Sequence, residues 1–211
     1  MTASIEWRLA GHSRSFPEGG FAEADSSSGP RILVVAGDEA RLPDDHGDFA
    51  AVLLELGNQC LATRAPDAPG YVFGFARFRL GMRTPSDLIE LVKGETADSS
   101  ALKIATNNLH GAGFQVSVCA DRIGRIIDRL IRPQFNLAYA AVDSRLATRE
   151  GIESCVRNGL GYRQGLMDAV EEGGLEDHFD VCKSLFEAYG LAQYAPARQA
   201  IVARQIKDAG Q

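Results

Sequence analysis

The 211 residues include only four cysteines, Cys60, Cys119, Cys155 and Cys182, spaced singly with no CxxC pair. This excludes a disulfide framework and a thiolate zinc site, and it predicts reduced, mostly buried thiols in a cytoplasmic protein. Histidine is equally sparse. His12, His46, His110 and His178 show no metal-ligand spacing, so no metal is expected. No apolar run approaches the length of a membrane span, and MTASIEWRLAG has neither the basic start nor the apolar stretch of a signal peptide. Basic residues are outnumbered, 22 Lys and Arg against 28 Asp and Glu, and the net charge of −6 argues against nucleic acid as the main partner. The most informative lack is a glycine loop. Arg31 to Gly37, RILVVAG, is a compact buried strand, after which a nucleotide-binding fold would place GxGxxG. Only Gly37 is there, followed by Asp38, Glu39 and Ala40, and two carboxylates at that corner repel a pyrophosphate.

What is present divides into strands first and helices afterwards. Ser4 to Leu9 alternates Ile5, Trp7 and Leu9 with polar residues, a short half-buried strand. Gly11 to Pro30 is a loop by composition. The runs at Phe49 to Leu56, Tyr71 to Phe78 and Ser86 to Gly94 read as further strands, and Phe114 to Ala120 as another. Between the last two, Thr96 to Gly113 reads as a helix capped by Thr96, with Ala101, Ile104, Ala105, Leu109 and Ala112 on its buried face. About five strands with one clear helix is a trimmed doubly wound unit.

The remainder is organised around Asp121 to Ser144. Ile123, Ile126, Ile127, Leu130, Ile131, Phe135, Leu137, Ala138, Ala141 and Val142 recur at three- and four-residue spacing, which predicts a long helix with Asp121 as N-cap and a kink at Pro133 near its middle. Shorter helices follow after the corner Gly159-Leu160-Gly161. That corner imitates a phosphate loop but follows a helix rather than a strand, and reads as a C-cap. His178 is expected to cap a helix or face solvent.

Residues 70 to 211 resemble the 3-hydroxyacyl-CoA dehydrogenase family. The matching residues are Asp121, Gly124, Arg129, Pro133, Asn136, Ala138, Gly159, Gly161 and Gly165, together with Leu88-Ile89-Glu90-Leu91-Val92, Gly94 and Thr96. Ile123, Arg125, Asp128, Arg163 and Leu166 depart from the family pattern. The resemblance implies a truncated Rossmann-like α/β unit at 31–120, preceded by a strand and loop at 1–30. A helical bundle like the C-terminal domain of 6-phosphogluconate dehydrogenase would follow at 121–211. Glu90 matches the glutamate of the family's catalytic pair. The histidine that it should orient falls within or near Phe75 to Leu80, where none occurs. Asp128 stands at the family's substrate-holding asparagine.

Candidate substrate contacts are Asp128 and Arg129 on the long helix, and Arg77 and Arg79 on one strand, which could meet coenzyme A phosphates. Ordinary readings stand beside these: Glu90 bonded to an arginine, Asp128 and Arg129 as a helix-surface ion pair, and the two strand arginines as solvated charges on an edge. The family uses NAD, but the missing glycine loop supports no cofactor here. Three functions follow. The chain is a dimerising, acyl-CoA-binding relative without NAD-dependent catalysis, or an active dehydrogenase with a rearranged site, or a structural partner of a complete dehydrogenase subunit. A homodimer is expected, with no nucleic acid or membrane partner.

Overall fold

The structure is a computed structural model that describes residues 4–20, 29–80 and 82–210, so part of the expected 11–30 loop lies outside the described residues. The chain divides into two compact units, Met1–Arg79 with Pro85–Arg125, and Leu80–Thr84 with Ile126–Gln211.

The first unit is built on a sheet of six strands in sequence order: β1 (Ser4–Leu9), β2 (Arg31–Ala36), β3 (Ala51–Glu55), β4 (Val72–Arg77), β5 (Leu88–Lys93) and β6 (Gln115–Ala120). Strands β1 to β4 run parallel, β5 returns antiparallel to β4, and β6 is parallel to β5. Ser4–Leu9 pairs along the whole of β2, so the sheet has six strands where about five were expected for the trimmed unit.

Strands β2 to β4 are unbroken apolar runs because both faces of the sheet are covered. On one face Ile32, Val34, Leu53, Phe73, Phe75, Ile89 and Leu91 pack with Ala101, Ala105 and Leu109 of helix α2 (Ser99–Gly111). On the other, Leu33, Val35, Val52, Leu54 and Val92 pack with Leu61 and Ala65 at the short helix α1 (Leu61–Arg64). Each large side chain buried this completely contributes roughly 1.5–3 kcal/mol. Asp98, not Thr96, caps α2, its carboxylate accepting the Ala101 N–H at 2.7 Å.

The second unit contains α3 (Ile127–Asp143), α4 (Arg149–Ser154), α5 (Leu166–Gly173), α6 (Leu175–Tyr189) and α7 (Arg198–Ala209). Helix α3 begins five residues later than the sequence pattern predicts, with Ile126 rather than Asp121 at its N-cap position. Gly124 and Arg125 adopt left-handed backbone, φ 75° and 46°, which no helix can pass through. Asp121 is therefore not its cap. Its two carboxylate oxygens accept instead from the N–H groups of Leu61 (2.7 Å) and Ala62 (2.8 Å) at the start of α1. Pro133 sits inside α3, and the helix continues past it. The Gly159 corner closes a wide turn, Cys155–Gly159, at the end of α4. Gly165 is required beside it. A Cβ there would run into the buried Glu153 carboxylate, which accepts the Met167 N–H of α5 at 2.7 Å.

Of the cysteines, Cys182 alone is buried; Cys60 and Cys119 are partly exposed and Cys155 is exposed, so the expectation of mostly buried thiols fails. Among the described residues no helix is long and apolar enough to cross a membrane, and no group of His, Cys, Asp and Glu could hold a metal ion.

Candidate functional site

Glu90 lies on the middle of β5, 1% exposed, directly opposite Ala76 of β4 in the antiparallel ladder. Cross-strand neighbours share a face of the sheet, so Ala76 is the position from which a base could meet the carboxylate. Its methyl group carries no proton chemistry. Glu90 instead takes a charge-assisted hydrogen bond from Arg125 Nε at 3.2 Å, in an ion pair whose side chains are 2% and 5% exposed. The left-handed backbone at Gly124 and Arg125 delivers this guanidinium, at the point where the family places a phenylalanine. Two residues along the same face, burial and the Glu90 charge push the Cys119 thiol up to about 11. Glu90 is thus a buried carboxylate held in an ion pair with Arg125.

Arg77 and Arg79 do not join it. Arg77 pairs with Ile89, so it projects from the opposite face to Glu90. Strand β4 lies between β3 and β5, and the expectation of an edge strand is wrong. The Arg77 guanidinium stacks on Phe16 and Phe114 (4.9 and 5.0 Å to the ring centres) and donates to the Ser86 and Ser15 carbonyls at 2.7 and 2.9 Å. Its donors are spent inside the protein. Arg79 is 7% exposed, and its carbonyl accepts from Arg14 at 3.0 Å.

A dinucleotide in this kind of sheet needs open backbone N–H groups beyond the carboxyl ends of the strands. Here those groups are taken. Glu55, at the end of β3 and 2% exposed, accepts from the Gly37 N–H, the Ser15 N–H and the Ser13 hydroxyl, each at 2.7 Å. In the turn after β2, the Asp38 carboxylate accepts the His12 N–H at 2.8 Å, which holds it below the usual carboxylate range. Two carboxylates occupy the donors that a pyrophosphate would require, and the residues present do not fit NAD.

In the helical unit, Asp128 and Arg129 do not pair with each other. Asp128 accepts from Arg132 Nε at 2.8 Å, one helical turn on, while the Arg129 guanidinium lies over the Tyr189 ring at 4.6 Å. Arg132 is fully buried, and so is His178, which neither caps a helix nor faces solvent as expected. An arginine only donates. Arg132 Nη1, 3.2 Å from His178 Nδ1, therefore makes that nitrogen the acceptor and leaves the proton on Nε2, which donates to Asn136 Oδ1 at 2.9 Å. Asn136 passes the chain on to the Gln193 carbonyl at 3.0 Å. Burial, with the Arg132 charge beside it, pushes His178 down to about 3, so the ring is neutral. Cys182, 3.6 Å from its Nε2, is pushed up to about 11 by burial and is no thiolate. This cluster is a hydrogen-bonded polar core rather than an acid–base pair, and the buried Arg132 Nη2 makes no hydrogen bond in it, lying 3.7 Å from the Asp177 carboxylate.

Beside it runs a groove of about 510 Å³, floored by Pro133, Leu137, Ala140, Ala195 and Pro196. At its rim Asp143 holds Arg198 and Gln199 at 2.9 and 2.7 Å.

The sequence profile described as "3-hydroxyacyl-CoA dehydrogenase, C-terminal domain" matches residues 124–210. Among curated proteins, the chain is 26% identical over 102 residues to 3-hydroxyadipyl-CoA dehydrogenase of Escherichia coli, covering 48% of this chain and 22% of that protein. It is 28% identical over 113 residues to 3-hydroxybutyryl-CoA dehydrogenase of Mycobacterium tuberculosis, covering 52% of this chain and 38% of that protein. The matched stretches therefore span well under half of these relatives. The fold is shared with M. tuberculosis FadB2 (TM-score 0.68, 20% identity, covering 85% of this chain and 66% of that one). It is shared equally with the (S)-3-hydroxybutyryl-CoA dehydrogenase of Ralstonia eutropha (TM-score 0.68, 17% identity, covering 85% and 65%).

Proposed function

Since residues 124–210 belong to the 3-hydroxyacyl-CoA dehydrogenase family through its C-terminal domain, we propose that this chain serves acyl-CoA metabolism without oxidising its ligand. In this reading it is a dimerising, acyl-CoA-binding or accessory member. The observation that carries the reading is the pairing of Ala76 with Glu90, where the family chemistry needs a general base, and the ion pair of Glu90 with Arg125. Loss of a general base alone lowers a rate by about a hundred- to ten-thousand-fold. The apolar floor of the groove beside Leu137 and Pro133 offers a place for an acyl chain.

Dimerisation is supported by apolar side chains left on the helical surface. Leu130 and Leu137, two turns apart on α3, are 64% and 71% exposed, and Ile206 on α7 is 68% exposed. Calorimetry with NAD and with acyl-CoA of increasing chain length, alongside NADH production from 3-hydroxybutyryl-CoA, tests the proposal. The expected result is acyl-CoA binding with neither NAD binding nor NADH. NAD-dependent turnover, or no affinity for any acyl-CoA, would overturn it.

A further inference from the structure

The loss of the cofactor is matched by a gain elsewhere in the sheet unit. The carboxyl ends of parallel strands present N–H groups that an α/β protein normally leaves to its ligand. In this chain residues 10–16 cross those ends as a strap, tied at several independent points. Ala10 N–H bonds to Ala36 O at 2.8 Å and Asp38 N–H to His12 O at 3.0 Å. Gly37 allows the close approach. At φ 116° it turns beneath the strap, and a Cβ there would run into the Ala10 carbonyl. At the far end Phe16 is buried at 6% exposure, edge-on to Trp7 and Phe114 at 5.0 and 5.8 Å. Arg77 completes that end, its backbone N–H reaching Ser15 Oγ at 3.2 Å.

At the centre sits Glu55. A carboxyl side chain that is 2% exposed at the end of an apolar strand is tolerated only when hydrogen-bond donors converge on it. Three do, Ser13 and Ser15 from the strap and Gly37 from the turn after β2. Two of these are backbone N–H groups, the donor type that cradles a phosphate. We infer that Glu55 is an intramolecular stand-in for a bound anion, a carboxylate that holds the 10–16 strap closed over the strand ends and makes the α/β unit independent of any nucleotide. The inference rests on the proposed loss of NAD binding and extends it, naming the group that occupies the vacated donors.

The two can be tested apart. NAD calorimetry on the wild-type chain addresses the loss of cofactor binding alone. The strap is tested with Glu55→Ala and Glu55→Gln in the full chain, followed by hydrogen exchange at the Ser15 and Gly37 amides and by melting with added inorganic pyrophosphate. Both variants should melt several degrees below wild type, and both amides should exchange at least tenfold faster. Pyrophosphate should raise the melting temperature of Glu55→Ala in a saturable way, because the emptied space retains its donors. It should leave wild type and Glu55→Gln unchanged, since a side chain still fills the position. Should Glu55→Ala fail to fold, Ser13→Ala provides the exchange readout with one donor removed, and faster exchange at Ser15 is then expected. Amides that stay protected in these variants, or a pyrophosphate response in Glu55→Ala no larger than in wild type, would overturn the inference.

Discussion

Ala76 and Glu90 face each other across the β4–β5 ladder, and the carboxylate turns away from this partner to Arg125. Directly opposed residues hold their Cβ atoms about 4.5–5.5 Å apart, near enough for a histidine at 76 to touch the carboxylate. Ala76→His is therefore the variant that rebuilds the pair, rather than a histidine farther along the strand. It is expected to produce no NADH from 3-hydroxybutyryl-CoA, because Glu55 still occupies the cofactor's donors. Spectrophotometric NADH formation by this single variant would contradict the assignment.

The same pair makes a stability prediction. Glu90→Gln removes a negative charge from beside the buried Arg125 guanidinium, and breaking one side of a buried pair weakens a fold by about 3–5 kcal/mol. Urea unfolding should show a loss of this order at unchanged slope. Replacing both residues, Glu90→Gln with Arg125→Met, should recover most of it, whereas a double variant as weak as the single would show that the ion pair is not the cause.

His178 predicts a pH dependence whose sign follows from its environment. Burial and the Arg132 charge hold its folded pKa near 3, below the ordinary value of 6.5, so between those limits the unfolded chain binds the extra proton. Stability is then full above about pH 6.5 and falls as the pH drops toward 3, at up to about 1.4 kcal/mol per pH unit. Urea midpoints between pH 7 and 5 read this slope before the carboxylates titrate. His178→Gln keeps a donor for Asn136 and removes the titration, and it should flatten the curve. A slope unchanged by that substitution would remove His178 as the source.

The strands and the helical half were legible because they are written locally. Runs such as RILVVAG and the three- and four-residue spacing of the long helix carry their own periodicity, and the resemblance supplied the order of the two units. The site residues were legible only in part. Asp121 looks like the cap of the helix that follows it, yet it caps α1, 60 positions earlier. His178, in the polar context EDHFDV, gives no hint of Asn136 and Arg132 on another helix. Glu55 had one local signal, a lone carboxylate ending the run FAAVLLEL, but its three donors come from segments 18 to 42 residues away. Periodicity reports which face is buried. It does not report which buried charge meets which partner.

The exposed leucines of α3 predict an association that one charge should disrupt. Leu137 is 71% exposed on the same face as Leu130, and in a homodimer packed on that face Leu137→Glu would place a carboxylate in an apolar contact. Wild type should scatter as a dimer at micromolar concentration, and Leu137→Glu as a monomer with unchanged circular dichroism. A monomeric wild type, or a variant that still pairs, would show that this face is not the interface.

Asp128 provides the last test, because the family's asparagine at its position invites a repair that should do harm. Its Oδ1 accepts from Arg132 Nε at 2.8 Å, and Arg132 is wholly enclosed, with the Asp177 carboxylate farther off at 3.7 Å. Asp128→Asn keeps an acceptor but removes the nearer negative charge, which should weaken the fold by about 1–3 kcal/mol and restore no dehydrogenase activity. Arg132→Met alone should weaken it comparably, since the Asp128–Arg132 ion pair is broken and His178 loses a donor. The double variant replaces an ion pair by a neutral pair of similar volume, so its loss should be smaller than the sum of the two singles. Arg132→Met also removes the positive charge beside His178. The imidazole should then protonate more readily, and the fall in stability between pH 6.5 and 5 should become shallower than in wild type. Additive losses in the double-mutant cycle, together with an unchanged pH slope, would mean that Asp128, Arg132 and His178 act separately, and the buried polar chain described for the helical unit would have to be redrawn.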